Sequence, residues 1–209
     1  MISLHVDRLK KSYNRHVIFE ELSFLHSDGV LGIAGSNGSG KSTLLKCLAY
    51  LAKPHAGSIR WMDGENELTR EQINRRIGFA APYINLYDEL TVYENLEFLL
   101  QVSGLQTQRT NITSHIDQVQ MKDFREKLFK SLSTGQRQRV KLAAALIRKP
   151  DIIFLDEPGS NLDEAGHQLV SQIVNVMKAK NKLVIIASND PSEISLCDQV
   201  IELGAIPKK

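Results

Sequence analysis

The chain has 209 residues, of which 42% are hydrophobic and 24% charged, and its formal net charge at pH 7 is +2. This composition is ordinary for a globular protein of one or two domains, and it excludes a disordered, collagen-like or disulfide-scaffold chain. Because so small a positive charge does not support broad contact with a phosphate backbone, we expect no nucleic-acid partner.

The first 82 residues carry the apolar patterns of several strands and one helix. Leucines at helical spacing predict a helix from Lys41 to Leu51, which stops before Pro54. The run Val30–Ala34 is apolar throughout and is typical of a buried strand. The expected strands of this part are 2–9, 22–26, 30–34, 58–62 and 76–80.

The middle of the chain, 83–131, changes character. Val92 and Leu96 begin a helical repeat of apolar residues, and a second amphipathic stretch runs from Ile116 to Leu128. This pattern predicts an inserted α-helical subdomain. We therefore expect a single domain over 1–209, with its core in 1–82 and 132–209 and the helical subdomain in 83–131.

From residue 135 onward, strands alternate with helices. The expected helices are 135–148, 163–179 and 191–196, and the expected strands are 151–155, 182–187 and 198–203. Such alternation predicts an α/β fold with a mainly parallel sheet that is covered on both faces.

Cysteine usage and hydropathy bear on the compartment. Cys47 and Cys197 lie far apart among apolar residues, which favours two small buried thiols in the cytoplasm, with a disulfide as an unsupported alternative. No apolar run approaches the ~18–20 residues of a membrane span, and residues 1–8 do not resemble a signal peptide. Any membrane association is thus expected to come through a partner. The six histidines show no metal-ligand spacing.

A glycine-rich segment follows the apolar run Val30–Ala34 and precedes the helix predicted at Lys41. It fits the pattern GxxxxGK[ST], whose glycines let successive backbone N–H groups face one cavity at a helix N-terminus. Lys41 can reach the β- and γ-phosphates of a nucleotide, the Ser42 hydroxyl can bind Mg²⁺, and Thr43 can contact the α-phosphate. The predicted binding residues are Gly35, Ser36, Asn37, Gly38, Ser39, Gly40, Lys41, Ser42 and Thr43.

Two carboxylates, Asp156 and Glu157, follow the apolar run 152–155. Ligands of open α/β sheets bind at the carboxyl ends of the strands, where this pair would emerge. We expect Asp156 to hold Mg²⁺ and Glu157 to orient or deprotonate the attacking water. Together with the phosphate loop, the pair predicts hydrolysis of a nucleoside triphosphate.

Residues 132–136 read Leu-Ser-Thr-Gly-Gln and begin 91 residues after Lys41. They resemble the LSxGQ signature of ATP-binding cassette (ABC) ATPases, and the resemblance covers essentially the whole chain. Ser160–Asp163 resembles the D-loop of that family, and Tyr13 matches the aromatic residue that stacks on adenine. The resemblance implies an α/β P-loop NTPase with a mainly parallel sheet, N-terminal antiparallel strands and an inserted α-helical subdomain, which uses ATP and Mg²⁺.

The signature precedes an apolar helix, so its serine and the following amides form a second anion site at a helix N-terminus. The resemblance implies that this site faces the γ-phosphate of an ATP bound to another subunit, so that two chains sandwich two nucleotides. The residues that the family pattern adds to the nucleotide site are Tyr13, Ser133, Gly135, Gln136 and Asp163.

Two positions depart from the family pattern. Pro82 stands where the family has a glutamine that contacts Mg²⁺ and water, and Tyr83 or Asn85 is a candidate substitute. Asn189 stands where the family has a histidine that contacts the γ-phosphate. Because asparagine offers only a neutral hydrogen bond, we expect Asn189 to act in catalysis with slower hydrolysis, unless it simply fills the same role.

The resemblance implies the ATP-hydrolysing subunit of a membrane ABC transporter. It would work as a homodimer or heterodimer on the cytoplasmic face of the membrane and would drive a separate integral membrane permease subunit, received by 83–131. The alternative is a slow-turnover, nucleotide-gated switch or partner-binding cassette, which could form half of a heterodimer. A relative that maintains chromosomes is disfavoured because only 92 residues separate Lys41 from Ser133, too few for a long coiled coil.

Overall fold

The computed structural model describes residues 1–14, 16–104 and 109–204, with the backbone alone at 109–111. The described strands form two sheets. The strands are β1 (Ile2–Tyr13), β2 (His16–His26), β3 (Val30–Ala34), β4 (Ala56–Asp63), β5 (Asn66–Glu67), β6 (Ile77–Ala80), β7 (Ile152–Asp156), β8 (Leu183–Ser188) and β9 (Gln199–Glu202).

The central sheet is parallel and has the strand order β6-β7-β8-β3-β9. The other sheet is antiparallel, with the order β2-β1-β4-β5. Both features confirm the expected fold class. β1 and β2 extend beyond the predicted 2–9 and 22–26 because they pair with each other, with three register shifts, from Leu4 opposite His26 to Tyr13 opposite His16.

The helices found in the described residues are α1 (Lys41–Leu48), α2 (Arg70–Arg76), α3 (Val92–Val102), α4 (Arg109–Gln118), α5 (Thr134–Leu146), α6 (Glu164–Ala179) and α7 (Pro191–Ile194). α1 begins as predicted but ends before Leu51, because Tyr50 adopts the left-handed conformation (φ 57°). The prediction missed α2, although Thr69 and Gln72 carry the pattern of a capping box, in which each residue's side chain accepts the other's backbone N–H.

The helix predicted from Ile116 to Leu128 is wrong. α4 ends at Gln118, and Gln120 takes the left-handed conformation (φ 59°). The Met121 N–H then donates to the Ile116 carbonyl over 3.0 Å, which closes the end of the helix as a Schellman-type turn. Beyond this turn the chain forms only short 3₁₀ segments, at Lys122–Phe124 and Phe129–Ser131.

The parallel sheet separates two clusters of buried apolar side chains, and its strands alternate between them. On β7, Ile153 and Leu155 face the cluster that contains α5 and α6, whereas Ile152 and Phe154 face the cluster that contains α1 and β1. This alternation follows from the period of two in a strand. Because both faces are covered, the strands are apolar throughout, and the polar groups gather at their ends.

The helices α3 and α4 lie between β6 and α5 in the chain, inside the segment 83–131. Their buried side chains, among them Leu96 and Ile116, belong to the same cluster as Ile153 of the parallel sheet. The boundaries of a helical subdomain therefore stay a prediction, and residues 105–108 of that segment lie outside the described part.

Both cysteines are free thiols, Cys47 buried as expected and Cys197 only half-buried. Burial raises the pKa of both, to about 11 for Cys197. Among the helices of the described ranges, none combines the length and the apolar character that crossing a membrane requires.

Candidate functional site

The glycine-rich loop between β3 and α1 is closely packed. A Cβ atom on Gly40 (φ 102°) would come within 2.3 Å of the Ile18 side chain, and one on Gly35 (φ 152°) within 2.5 Å of Ser39 Oγ. Both positions therefore require glycine. Gly40 is also the N-cap of α1 and supplies no capping side chain, so the first amides of α1 remain available to an anion.

Lys41 lies almost completely buried beneath this loop, at 5% exposure. Its ammonium donates to the carbonyls of Gly35 (2.8 Å) and Ser36 (3.3 Å), and it lies 3.2 Å from Glu157 Oε1. These contacts hold the positive charge between the loop and Glu157 before any ligand arrives.

Glu157 sits at the end of β7 in a left-handed conformation (φ 46°), which is uncommon for a residue with a side chain. Its N–H donates to the Ala187 carbonyl of the neighbouring strand over 2.8 Å, and this bond helps to hold the turn. Strained backbone of this kind is concentrated at functional sites. Here it directs the carboxylate toward Lys41.

Asp156 is fully buried, and neither of its carboxylate oxygens has a hydrogen bond of good geometry within the described residues. Burial raises the pKa of Asp156, and the nearby hydroxyls of Ser42 and Tyr83 oppose that shift. A buried carboxylate without a partner is costly unless a cation or proton joins it. Together with the Ser42 hydroxyl, it offers the oxygen ligands that Mg²⁺ prefers, so these residues fit the predicted metal.

Six of the nine predicted loop residues converge on one cleft of about 330 Å³. The phosphate loop and Glu157 line it, and the half-exposed Tyr13 ring lies at the same cleft. Asn189 reaches the loop from the end of β8, because its amide donates to Asn37 Oδ1 over 3.0 Å. We call this the phosphate cleft; its lining residues are Tyr13, Ile18, Asn37, Gly38, Gly40, Lys41, Ser42, Thr43 and Glu157.

Ser133, Gly135, Gln136 and Asp163 meet in a different cleft, of about 440 Å³, which shares no lining residue with the phosphate cleft. We call it the signature cleft. Ser133 caps α5 through a capping box: its Oγ accepts the Gln136 N–H (3.3 Å), and Gln136 Oε1 accepts the Ser133 N–H (2.9 Å). The helix start is thus already well ordered in a single chain.

Sequence reasoning missed the residue that holds this second cleft together. The Arg139 guanidinium donates to Asp163 Oδ1 (2.7 Å) and to Gln120 Oε1 (2.6 Å), and it holds the pKa of Asp163 below its usual value. The three residues lie on separate segments, so no local pattern could have revealed the contact.

The two departures from the family pattern have different surroundings. Pro82 offers only its carbonyl, which accepts a hydrogen bond of 2.7 Å from Lys141 on α5. The Tyr83 hydroxyl lies beside Asp156, and its pKa is raised by burial and by that carboxylate, while Lys46 Nζ lies 3.7 Å from the centre of the Tyr83 ring. Asn85 is exposed. Of the two candidate substitutes for the glutamine, Tyr83 is therefore the one that reaches Asp156.

Known proteins resemble this chain in both sequence and fold. Residues 20–160 match the ABC transporter family, which is well over half of the chain. The ABC transporter ATP-binding protein NatA of Bacillus subtilis is 34% identical over 179 residues, which cover 82% of this chain and 72% of that protein. A probable sulfate/thiosulfate import ATP-binding protein, CysA of Chlorella vulgaris, is 31% identical and covers 97% of this chain and 87% of its own length.

Solved structures show the same fold. A putative ABC transporter ATP-binding protein from Pyrococcus furiosus superposes with a TM-score of 0.82 at 28% identity, over 96% of this chain and 97% of that one. The dimeric ABC transporter cassette MJ0796 superposes with a TM-score of 0.85 at 24% identity, over 97% and 94% of the two chains. The family resemblance seen in the sequence is thus confirmed, and the chain belongs to the ABC transporter family as its ATP-binding, ATP-hydrolysing cassette.

Proposed function

We propose that this cassette powers a membrane transporter by closing and reopening around ATP as a dimer, and that an integral membrane permease subunit receives the movement. The observation that carries the proposal is the convergence of Lys41, Glu157 and Ser42 on one cleft beside the buried Asp156. Because ATP is supplied from the cytoplasm, the proposed place of action is the cytoplasmic face of the membrane.

In this proposal the phosphate cleft binds Mg-ATP. Tyr13 stacks on adenine, the amides of residues 35–40 and of early α1 surround the phosphates, and Thr43 contacts the α-phosphate. The Lys41 ammonium exchanges its contact with Glu157 for contacts with the β- and γ-phosphates. This exchange frees the Glu157 carboxylate. Ser42 and Asp156 would hold the Mg²⁺, which neutralises charge on the phosphate oxygens.

Hydrolysis in this proposal needs few groups from the protein, because phosphoryl transfer depends mainly on positioning and charge. Glu157 accepts a hydrogen bond from the attacking water and orients it, and Asn189 donates a neutral hydrogen bond toward the γ-phosphate. The signature cleft of a second cassette covers the γ-phosphate through Ser133, the Gly135 amide and Gln136, with Asp163 at the contact between the two cassettes. The oxygen of the attacking water forms a bond to the γ-phosphorus and gives a proton to Glu157, while the bond to the bridging β-phosphate oxygen breaks, so that ADP and inorganic phosphate are released.

The dimer and the membrane partner are supported by relatives. MJ0796 is described as a dimer, NatA is an ABC transporter ATP-binding protein, and ArtM of Bacillus subtilis is an arginine transport ATP-binding protein. We propose that segment 83–131 receives the permease subunit, and no nucleic acid takes part. A homodimer and a heterodimer with a related cassette are both compatible with two complementary clefts.

Steady-state release of phosphate from Mg-ATP by the purified chain tests the proposal, with Glu157→Gln as the matched variant. The carboxamide keeps the shape of Glu157 but cannot accept a proton, so we expect turnover to fall at least 100-fold while ATP affinity stays within about threefold. Equal turnover in both proteins would contradict the assigned role. Co-purification with a multi-span membrane protein tests the transporter role separately.

A slow-turnover switch is the second candidate, and Pro82 and Asn189 are the observations that favour it. Neither side chain can supply charge near the γ-phosphate. In this case Mg-ATP would still close the dimer, but turnover would stay low in the wild type and closure would persist for minutes. Sedimentation of the wild type with and without ATP, alongside the phosphate-release assay, separates the two candidates.

A further inference from the structure

A histidine and two carboxylates meet outside both clefts. His167 lies on α6, Asp190 is the N-cap of α7, and Glu193 lies within α7. One potential ligand atom from each of the three lies within 4.8 Å of the others. Their positions in the chain do not show metal-ligand spacing, so only the fold brings them together.

Each of the two carboxylates uses one oxygen to hold the local backbone. Asp190 Oδ1 accepts the N–H and the hydroxyl of Ser192, whereas Oδ2 lies 4.0 Å from His167 Nδ1. Glu193 Oε1 accepts the Gly159 N–H over 2.7 Å. Glu193 Oε2 has no hydrogen-bond partner in the described ranges, although the residue is only 4% exposed.

A buried carboxylate oxygen without a partner needs either a proton or a cation. Burial raises the pKa of Glu193, while the Ser188 hydroxyl and the Gly159 amide oppose that shift. The absence of a side chain at Gly159 keeps the space open: a Cβ atom there would lie 2.4 Å from Glu193 Oε1 and 2.7 Å from His167 Nδ1.

We propose that His167, Asp190 and Glu193 form a binding site for a divalent transition-metal cation of the zinc type. Imidazole nitrogen and carboxylate oxygen are both zinc ligands, and three protein ligands leave a fourth position to water. An imidazole ligand favours zinc-type ions over Mg²⁺ or Ca²⁺, which prefer oxygen. An open polar cleft of about 620 Å³, lined by His167 and Asp190, gives the ion a path from solvent.

The bound ion would link α6 to the segment that follows β8, one residue after Asn189. Since Glu193 also bonds the Gly159 N–H, the ion would thereby fix Gly159, the residue before the D-loop, relative to the end of that strand. The site needs no nucleotide, so a test of Zn²⁺ binding is independent of the proposed transporter role.

Titration calorimetry of the EDTA-treated, dialysed full chain with ZnCl₂, without nucleotide, tests the site. We expect about one equivalent of Zn²⁺ to bind with a dissociation constant in the micromolar range or below, and to raise the melting temperature. His167→Gln and Asp190→Asn should each weaken binding at least tenfold. Asparagine still caps α7, so Asp190→Asn keeps the fold, which circular dichroism checks.

Two control variants address the other zinc ligands. His16→Gln removes an exposed histidine that lies far from His167 in the sequence. Cys197→Ser removes the half-buried thiol one turn from Glu193. Both variants should bind Zn²⁺ as the wild type does. The proposal is overturned if the wild type binds no Zn²⁺ at 100-fold excess. It is also overturned if Cys197→Ser abolishes binding, or if the folded Asp190→Asn protein binds normally.

Discussion

The phosphate cleft and the signature cleft differ in how their polar groups are satisfied. Beside the phosphate cleft, Asp156 and the Ser39 hydroxyl are buried without a hydrogen bond of good geometry within the described part of the chain. In the signature cleft, Ser133 and Gln136 bond to each other, and Arg139 pairs with Asp163. A ligand of the phosphate cleft can therefore supply partners that its polar groups lack, whereas the polar groups of the signature cleft are already paired within the chain.

This difference indicates that the two clefts have different roles in binding ATP. Buried groups without partners gain most from a ligand that supplies them, because leaving them unpaired costs about 1–3 kcal/mol each. A rigid, paired surface instead serves as a preformed cover with little further ordering to do. We therefore expect a single chain to bind Mg-ATP through the phosphate cleft and to need the signature cleft only for closure and turnover.

The largest expected effect on ATP affinity comes from Lys41→Ala. The variant removes the charge that the phosphates would use, and lost hydrogen bonds to a charged group cost about 1.5–3 kcal/mol each, so ATP affinity should fall about 10- to 100-fold. Fluorescent-nucleotide titration measures this. Lys10→Ala, which removes an exposed lysine paired with Glu20 (3.0 Å), is the matched control and should bind ATP normally. Normal affinity in Lys41→Ala would contradict the comparison.

The next largest effect, that of Ser133→Ala, distinguishes the binding of ATP from closure of the dimer. Ser133→Ala and Thr69→Ala each remove the N-cap of a capping box whose partner is a glutamine, so each should lower the free energy of unfolding by about 1 kcal/mol. Only Ser133→Ala should also lower turnover, by about tenfold, while its ATP affinity stays unchanged. Denaturant melts and phosphate release measure the two effects. Equal turnover in the two variants would show that Ser133 only caps its helix.

Much of the fold could be predicted because its signals are local. The apolar run of β3, the glycine pattern of residues 35–43 and the repeat of apolar residues in α5 all lie within short windows. The parallel sheet followed from the alternation of such windows. α2 carries an equally local capping-box signal at Thr69 and Gln72, which was overlooked.

The remaining features depend on tertiary contacts. The end of α4 is set by a left-handed Gln120, a residue type that does not announce a helix end as glycine does. The pair Arg139–Asp163 and the approach of Tyr83 to Asp156 join residues from different elements. Likewise, His167 meets Asp190 and Glu193 only after α6 and α7 have packed beside β8.

In the absence of nucleotide and metal, one carboxylate from each region should affect the stability of the fold with opposite sign at neutral pH. Burial raises the pKa of Asp156 above 3.8, so its folded form holds its proton more tightly than the unfolded chain does. Asp156→Asn should therefore be more stable than the wild type at pH 7, by about 1.4 kcal/mol per pKa unit of that shift. The difference should shrink as the pH falls through the raised pKa toward 3.8.

The matched variant is Asp163→Asn, since asparagine can still cap α6. Arg139 lowers the pKa of Asp163 below 3.8, so this carboxylate stabilises the fold above pH 3.8 and loses the effect as pH falls through its lowered pKa. The variant should be less stable than the wild type at neutral pH. Thermal melts from pH 3.5 to 7.5 measure both proteins, and shifts of the same sign would contradict the contrast between the clefts.

The smallest expected effect is that of Asn189→His, which tests whether the phosphate cleft lacks a charge at its rim. Asn189 now donates a neutral hydrogen bond to Asn37 (3.0 Å), whereas a protonated histidine could give a charge-assisted bond about twice as strong. A gain of about 1 kcal/mol in the transition state corresponds to a turnover about fivefold higher. Asn85→His, at an exposed position after β6, is the control and should leave turnover unchanged. If Asn189→His also has no effect, asparagine fills the position fully, and the slow-turnover candidate loses one of its two supporting observations.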